Sequence, residues 1–407
     1  MKKVKIGLFG FGCVGQGLYS VLKKTPGLKT EIKKICIKDP NKQRTIGSEN
    51  FTDCKEDLLN DPEINVIVEL IDDSEEAFNI VSDALKNKKA VVTANKKMVS
   101  EHLEELIKLQ EVTGSQILYE AACCGGIPII RNLEEYYDND ILQSITGIVN
   151  GTTNYILSEI YSGKSYEEAL NFVKQNGYAE SNPVLDVEGY DSKYKLNIML
   201  MHAFGLLVKP EKIFNLGIQR VNKFDMLFAK SKGYNIKLIA KATKTIDGNI
   251  AAYVLPELII EENLLNSVNG VYNAIVTESI FAERNVFIGK GAGAFPTAAA
   301  VLSDLSALSY EYKYEYKKRQ QLYNRSNIGS KIQLDEDFFV NIYLRFDKKY
   351  KSKPEHFEEI FETYYSRDHN YLTGKINFKK LIDSEWINNN DMNVLLLSFD
   401  PKLPVDK

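Results

Sequence analysis

Residues 3–22 constrain this chain more than any other stretch. Lys3 to Phe9 reads as a buried strand, the motif Gly10-Phe11-Gly12-Cys13-Val14-Gly15 follows, and an apolar helix pattern runs on to Leu22. Strand, glycine turn and helix in that order form a dinucleotide-binding fingerprint. The first two glycines permit a tight turn and let a pyrophosphate approach the helix N-terminus, and the third lets helix and strand pack closely. The competing reading is a merely glycine-rich turn, against which stand the strand and helix on either side. Gly10, Phe11, Gly12, Cys13, Val14 and Gly15 are therefore the candidate cofactor loop.

A second strand, Glu31 to Ile37, ends in Lys38-Asp39. An acid here binds the ribose hydroxyls of NAD, whereas basic neighbours favour the 2′-phosphate of NADP. This chain has both, Asp39 beside Lys38, Lys42 and Arg44, so NADP or NAD stays open. Three further strands are expected at Ile64–Ile71, Ala90–Ala94 and Gln116–Ala121. They lead into Asp72-Asp73-Ser74, Thr93-Ala-Asn-Lys96 and Glu120-Ala-Ala-Cys-Cys-Gly-Gly-Ile-Pro128, with Pro128 at a first helical position. Ligands of such sheets lie beyond the C-terminal strand ends, which makes Ser74, Lys96 and Glu120 site candidates rather than chance surface polarity.

With 407 residues the chain exceeds one ordinary core, so about two or three domains are expected. A 44% hydrophobic and 26% charged composition, without a long apolar run, describes a soluble globular protein with no membrane partner. A net charge of −4 supplies no reason to expect nucleic acid. The strand pattern at the very start leaves no room for a signal peptide, so a cytoplasmic location is expected. The five cysteines and four histidines lack metal-ligand spacing, which disfavours zinc enzymes and Ser-His or Cys-His hydrolases.

In the middle of the chain, a strand Ile145–Asn150 runs into Gly151-Thr152-Thr153-Asn154 and a helix, Tyr155–Tyr161. The helix start could hold a carboxylate or polarise a carbonyl; the plainer alternative is a threonine cap. Ser165 to Glu168 is a capping box for a helix that ends near Gly177. Next comes a loop with Glu180, Asp186 and Asp191, and then a helix from Ser192 to about Leu207. Asp191 and Lys195, four apart, place a carboxylate and an amine on one helix face, either as acid–base machinery or as a solvated ion pair. Ile236–Thr245 and Ile250–Leu255 flank the hairpin signal Asp247-Gly248, and strands at Val271–Thr277 and Val286–Ile288 add to a mixed, largely antiparallel sheet. Gly289 to Thr297 is a second glycine loop, whose helix to Leu308 is expected to return to the nucleotide domain.

Six stretches, in order and spanning about residues 4–308, resemble the homoserine dehydrogenase family. They are the Gly10 fingerprint, Thr93-Ala-Asn-Lys96, Tyr119-Glu-Ala with Gly-Gly-Ile-Pro128, Asn150-Gly-Thr-Thr-Asn-Tyr-Ile-Leu157, Gly177 to Lys195, and Gly289 to Thr297. The resemblance implies NAD(P)-dependent interconversion of L-homoserine and L-aspartate 4-semialdehyde, in threonine and methionine biosynthesis. It makes Lys195 the general acid, with Lys96 assisting. Glu180, Asp191 and Asp186 become substrate-holding acids, with Thr152 beside them, and Ser74, Gly177 and Gly293 cofactor contacts. Glu120 and the carbonyls of Cys123, Gly125 and Ile127 fall where the family holds a monovalent cation, usually sodium. Two positions depart from the family pattern: Asn182 stands where an aspartate is usual, and Cys123-Cys124 replaces a small or aliphatic pair.

The expected architecture is α/β. It comprises a Rossmann-type domain over 1–135, rejoined by 294–310, and an α+β substrate-binding and dimerisation domain over 136–293. A linker, 311–333, leads to a small C-terminal α+β segment, 334–407, similar to a diverged regulatory amino-acid-binding (ACT-like) domain. In that tail the strands are expected at Phe338–Phe346, Tyr371–Phe378 and Val394–Phe399, with a helix over Glu355–Tyr365. Threonine inhibition would follow from a regulatory tail, but Asp347-Lys-Lys-Tyr stands where such a domain usually has Asp-x-Pro-Gly after its first strand, which favours a purely structural or oligomerising appendage. A homodimer or homotetramer is expected. The rival readings are another amino-acid dehydrogenase on this fold, or a catalytically weak NAD(P)-binding sensor, which should have lost Lys96 or Lys195.

Overall fold

The computed structural model describes residues 3–398 except 26, 45, 139, 176–182, 321–331, 348 and 350–353. The chain divides into two compact units. One is Met1–Ile141 with Asn197–Pro210 and Gly289–Gly329; the other is Leu142–Leu196 with Glu211–Ile288 and Ser330–Lys407.

The first unit is built on six parallel strands: β1 (Val4–Phe9), β2 (Thr30–Cys36), β3 (Phe51–Thr52), β4 (Val66–Glu69), β5 (Ala90–Thr93) and β6 (Ile117–Leu118), in the order β3-β2-β1-β4-β5-β6. Ile6, Leu8, Ile67, Val68, Val91 and Val92 are completely buried, as continuous apolar strands covered on both faces must be. Burying each such side chain contributes about 1.5–3 kcal/mol. The helix Ser74–Lys86 shows why the covering layers form. Ala77, Ile80, Val81, Ala84 and Leu85 recur at helical spacing and are buried, while Asp73 caps the start by accepting the N–H groups of Glu75 and Glu76. Strand order reverses direction between β1 and β4, beside Gly10, and there such sheets open a crevice. The expected strand Gln116–Ala121 is shorter, because Glu120–Ala122 turns into a 3₁₀ helix. Pro128 caps the helix Ile129–Arg131 rather than occupying its first position.

Among the described residues the second unit holds ten strands: β7 (Leu142–Ile148), β8 (Phe214–Asn215), β9 (Asn235–Lys244), β10 (Ile250–Ile259), β11 (Tyr272–Ser279), β12 (Arg284–Lys290), β13 (Phe339–Phe346), β14 (Phe357–Tyr365), β15 (Asn370–Asn377) and β16 (Asn393–Leu397). Their order is β12-β11-β7-β9-β10-β16-β13-β15-β14, with β8 beside β10. The expected β9–β10 hairpin is present from Lys244↔Ile250 to Asn235↔Ile259, and Gly248 in its turn has φ +81°. The C-terminal strands continue the same sheet, β16 running parallel to β10 through Glu257↔Leu396 and Leu258↔Leu397.

One tail element differs in kind. Residues 355–365 carry Phe357, Ile360, Phe361, Tyr364 and Tyr365 at helix-like spacing, yet Phe357–Tyr365 is a strand paired antiparallel with β15. The segment is rich in aromatic and β-branched residues, and the ladder to β15 overrides its ambiguous period. Among the described residues no helix is long and apolar enough to cross a membrane.

Candidate active site

Gly10 ends β1 at φ +90°, and a Cβ there would lie 2.6 Å from the carbonyl oxygen of Leu70. A Cβ on Gly15 would lie 2.5 Å from the carbonyl of Gly10, so both positions require glycine on steric grounds. Gly12 is different. It is the N-cap of the helix Cys13–Lys24, exposed, and a Cβ would meet nothing within 4 Å, so this side of the turn is open to a ligand. That helix has no side-chain cap and no acid in its first turn, which leaves its positive end directed at an incoming anion. Phe11 is buried against Tyr19 and Phe51, Cys13 is exposed and Val14 half-buried. At the end of β2, the Asp39 carboxylate accepts the Asn41 N–H at 2.9 Å. Arg44 folds back to donate to the carbonyls of Asp39 and Lys42, both at 2.6 Å, with its guanidinium over Phe51. Lys38 is exposed.

At the ends of β4 and β5 stands an acid that sequence reasoning missed. Glu69 is fully buried. It accepts the Thr93 hydroxyl at 2.5 Å and the Ile71 N–H at 2.7 Å, and burial pushes its carboxyl up to about 7. The same Thr93 oxygen accepts the Asn95 N–H, and Asn95 caps the short helix Lys96–Glu101, so the position of Lys96 is set by this chain of bonds. Ser74 is buried at the first position of its helix, beside the Asp73 cap. Gly293, at φ +120°, precedes the helix Ala294–Leu308. That helix packs so tightly on Cys13–Lys24 that a Cβ on Gly17 would lie 2.6 Å from the Ala294 carbonyl.

Glu120 is buried, with its two carboxylate oxygens accepting the N–H groups of Ile130 (2.8 Å) and Arg131 (2.9 Å). Burial nevertheless holds its carboxyl up at about 7. In the adjoining loop Cys124 (φ 54°) and Gly125 (φ 53°) both adopt left-handed backbone, and the Ile127 carbonyl accepts the Ile129 N–H. Arg131 Nε lies 3.9 Å from the Glu120 carboxylate, so burial raises that group against the pull of these three donors.

In the second unit, Lys195 is buried and donates to the Asp191 carboxylate at 2.7 Å and to the Val149 carbonyl at 2.8 Å. The same Asp191 oxygen accepts Asn150 Nδ2 at 2.8 Å, and that amide also donates to Asp186 at 2.7 Å. Asn150 Oδ1 accepts the Thr153 N–H, which orients the amide with its N–H groups toward the two acids. Asn150, not a threonine, is thus the cap of the helix Gly151–Tyr161, and Thr152 lies buried in its first turn. The strand end β7 supplies the backbone of Val149 and Asn150, and the helix Tyr190–Phe204 supplies Asp191 and Lys195. Asn150 bridges the acids, a role its preference for helix starts hints at but does not reveal. Nearby, Lys237 is completely buried and, among the described residues, held by the neutral oxygens of Asn154, Val268 and Asn269; burial pushes it down to about 8. Gly177, Glu180 and Asn182 lie outside the described residues.

A doubly wound parallel sheet with its glycine loop is the frame of a nicotinamide-dinucleotide-dependent dehydrogenase. Comparison with known proteins narrows the class. Residues 10–120 match the family sequence model described as homoserine dehydrogenase, NAD binding domain, and residues 128–306 the one described as homoserine dehydrogenase. The homoserine dehydrogenase of Bacillus subtilis is 37% identical over 319 residues, covering 76% of this chain and 73% of the relative. That of Lactococcus lactis is 33% identical over 381 residues, covering 88% and 89%. Among solved structures, a homoserine dehydrogenase from Thiobacillus denitrificans superimposes with a TM-score of 0.82 at 27% identity, covering 98% of this chain and 99% of that one. A hyperthermophilic archaeal homoserine dehydrogenase in complex with NADPH gives a TM-score of 0.66 at 26% identity, covering 77% and 99%. The chain belongs to the homoserine dehydrogenase family. It is an oxidoreductase using a nicotinamide cofactor, and the sensor reading and the other amino-acid dehydrogenases are set aside.

Proposed function

We propose that Lys195 is the proton donor in the reduction of L-aspartate 4-semialdehyde to L-homoserine, the reversible reaction of this family. A reduced nicotinamide held at the Gly10–Gly15 loop would supply the hydride, and the Lys195 ammonium would give a proton to the carbonyl oxygen of the aldehyde. The amine is then reprotonated from solvent. The observation that carries this reading is the buried Val149–Lys195–Asp191–Asn150 network, which holds an ammonium in one place and orientation at the mouth of a helix start. Lys96 assists in balancing the developing charge. Glu180, Asp186 and Asp191 hold the substrate ammonium, and the helix start at Thr152 its carboxylate.

The pyrophosphate is assigned to the loop Gly10–Gly15, with Ser74, Gly177 and Gly293 as further cofactor contacts. Lys38, Lys42 and Arg44 neighbour Asp39 in sequence, and the Asp39 carboxylate is already engaged by its own turn, which supports NADP over NAD. Glu120 and the carbonyls of Cys123, Gly125 and Ile127 would hold sodium, whose charge would anchor that loop. A homodimer through the β11–β12 edge is supported by the exposed Tyr272, Val286 and Ile288 along it. A cytoplasmic location goes with this chemistry.

The test is oxidation of NADPH and NADH with L-aspartate 4-semialdehyde, on wild type and Lys195→Ala. The variant should lose about 10²–10⁴-fold in kcat with cofactor affinity kept. A variant within threefold of wild type would remove Lys195 from the role. Equal kcat/KM for the two cofactors would remove the NADP assignment.

A further inference from the structure

His102 carries an anomaly that the dehydrogenase chemistry does not absorb. Its ring stacks on Phe78 with centroids 3.8 Å apart and planes 12° apart, so its orientation is set by packing. Both ring nitrogens are shielded from water, and among the described residues neither has a hydrogen-bond partner. Buried polar atoms without partners are uncommon and call for an explanation. Carboxylates flank both edges of the ring: Glu75 Oε1 is 3.8 Å from Nε2, and Glu105 Oε1 is 3.7 Å from Nδ1. Both distances are too long for hydrogen bonds. Glu101 completes the group. One ligand atom each from Glu75, Glu101 and His102 lies within 4.8 Å of the others.

We propose that Glu75, Glu101 and His102 form a binding site for a divalent transition-metal ion of the zinc type on the nucleotide-binding unit. Bonds of about 2.1 Å in tetrahedral geometry separate ligand atoms by about 3.4 Å. The Glu75–His102 pair, at 3.8 Å, is within a few tenths of an ångström of that spacing. The Glu75 side chain is 77% exposed and therefore able to rotate toward the ion. Glu105 stands where a metal-bound imidazole commonly directs its second N–H, an arrangement that sets the tautomer and strengthens the ligand. An imidazole with two carboxylates selects zinc, cobalt or nickel over calcium and magnesium, which prefer all-oxygen shells. Lys97, 3.8 Å from Glu101, is a competing cation that the ion would displace.

The placement gives the site a consequence. Glu75 lies in the first turn of Ser74–Lys86, while Glu101 and His102 close the helix that begins at Lys96. A bound ion would tie together the two helices whose first residues, Ser74 and Lys96, are assigned to the cofactor and the chemistry.

The experiment is calorimetric titration of metal-stripped full chain with zinc, with cobalt as an absorption probe. The panel is wild type, Glu75→Gln, His102→Ala and, as a control outside the site, Glu104→Gln. The expected result is one ion per chain, tenfold or more weaker binding in both site variants, and no change in the control. Glu75→Gln alters an exposed side chain, so its result stands whether or not His102→Ala folds. No binding to wild type, unchanged binding in Glu75→Gln, or a cobalt–thiolate charge-transfer band placing the ion on a cysteine would each overturn the assignment.

Discussion

Substituting Asp191 by Asn tests the proposed centre most directly. Asp191 Oδ2 accepts from both Lys195 (2.7 Å) and Asn150 (2.8 Å), and all three residues are buried. The isosteric change keeps shape and an acceptor oxygen but removes the counter-charge of an ammonium that water hardly reaches. Removing one partner of a buried ion pair costs about 3–5 kcal/mol, at the lower end where an acceptor survives, so about 3 kcal/mol is expected. If the transition state needs the ammonium in the same place, a loss of that size corresponds to about a 10²-fold fall in kcat/KM. A cycle with Lys195→Met and the double variant isolates the coupling. Urea unfolding should show the double variant less destabilised than the sum of the singles by about 2–3 kcal/mol. Homoserine oxidation, followed through NAD(P)H absorbance, should be as low in the double variant as in Lys195→Met alone. Stabilities that add within about 0.5 kcal/mol, or Asp191→Asn activity within threefold of wild type, would refute the reasoning.

Two further outcomes follow from single positions. Gly10→Ala forces a Cβ to within 2.6 Å of the Leu70 carbonyl at φ +90°. It should cost about 1–3 kcal/mol of stability and weaken cofactor binding, measured by NADPH fluorescence titration, and wild-type affinity would contradict the assigned loop. Glu69 is raised from 4.5 to about 7 by burial. A raised folded-state value means that its contribution is fully present below about pH 4.5 and is lost as pH rises to about 7. The shift of about 2.5 units sets the size of that loss at up to about 3 kcal/mol. Glu69→Gln should therefore gain stability relative to wild type between pH 4.5 and 8, and a pH-independent difference in urea unfolding would count against the burial argument.

The nucleotide half was legible because its determinants are local. A strand of Val4, Ile6 and Leu8, three spaced glycines and an amphipathic helix specify a βαβ turn within about twenty residues, and the structure forms it. The Asp191–Lys195 pair was likewise visible, since a helix brings residues four apart onto one face. The β9–β10 hairpin was visible because Asp247-Gly248 is a turn signal.

What remained hidden depends on distant partners. Glu69 looks like any residue at a strand end until Thr93 is seen to donate to it. The helix start at 150–154 reads as a threonine cap until Asn150 is found to cap it and to hold Asp186 and Asp191, 36 and 41 residues away, on its amide. Residues 355–365 satisfy a helical period and a strand composition alike, and pairing with β15 decides between them. The sequence alone determined the cofactor class and the family, and put Asp191 and Lys195 on one helix face, because those rest on short-range geometry and on motifs in order. Tertiary structure alone decided that Val149 and Asn150 complete the surroundings of that pair, and that the tail joins β10 through β16. Burial and pairing across hundreds of residues are properties of the packed chain, and no local window of sequence contains them.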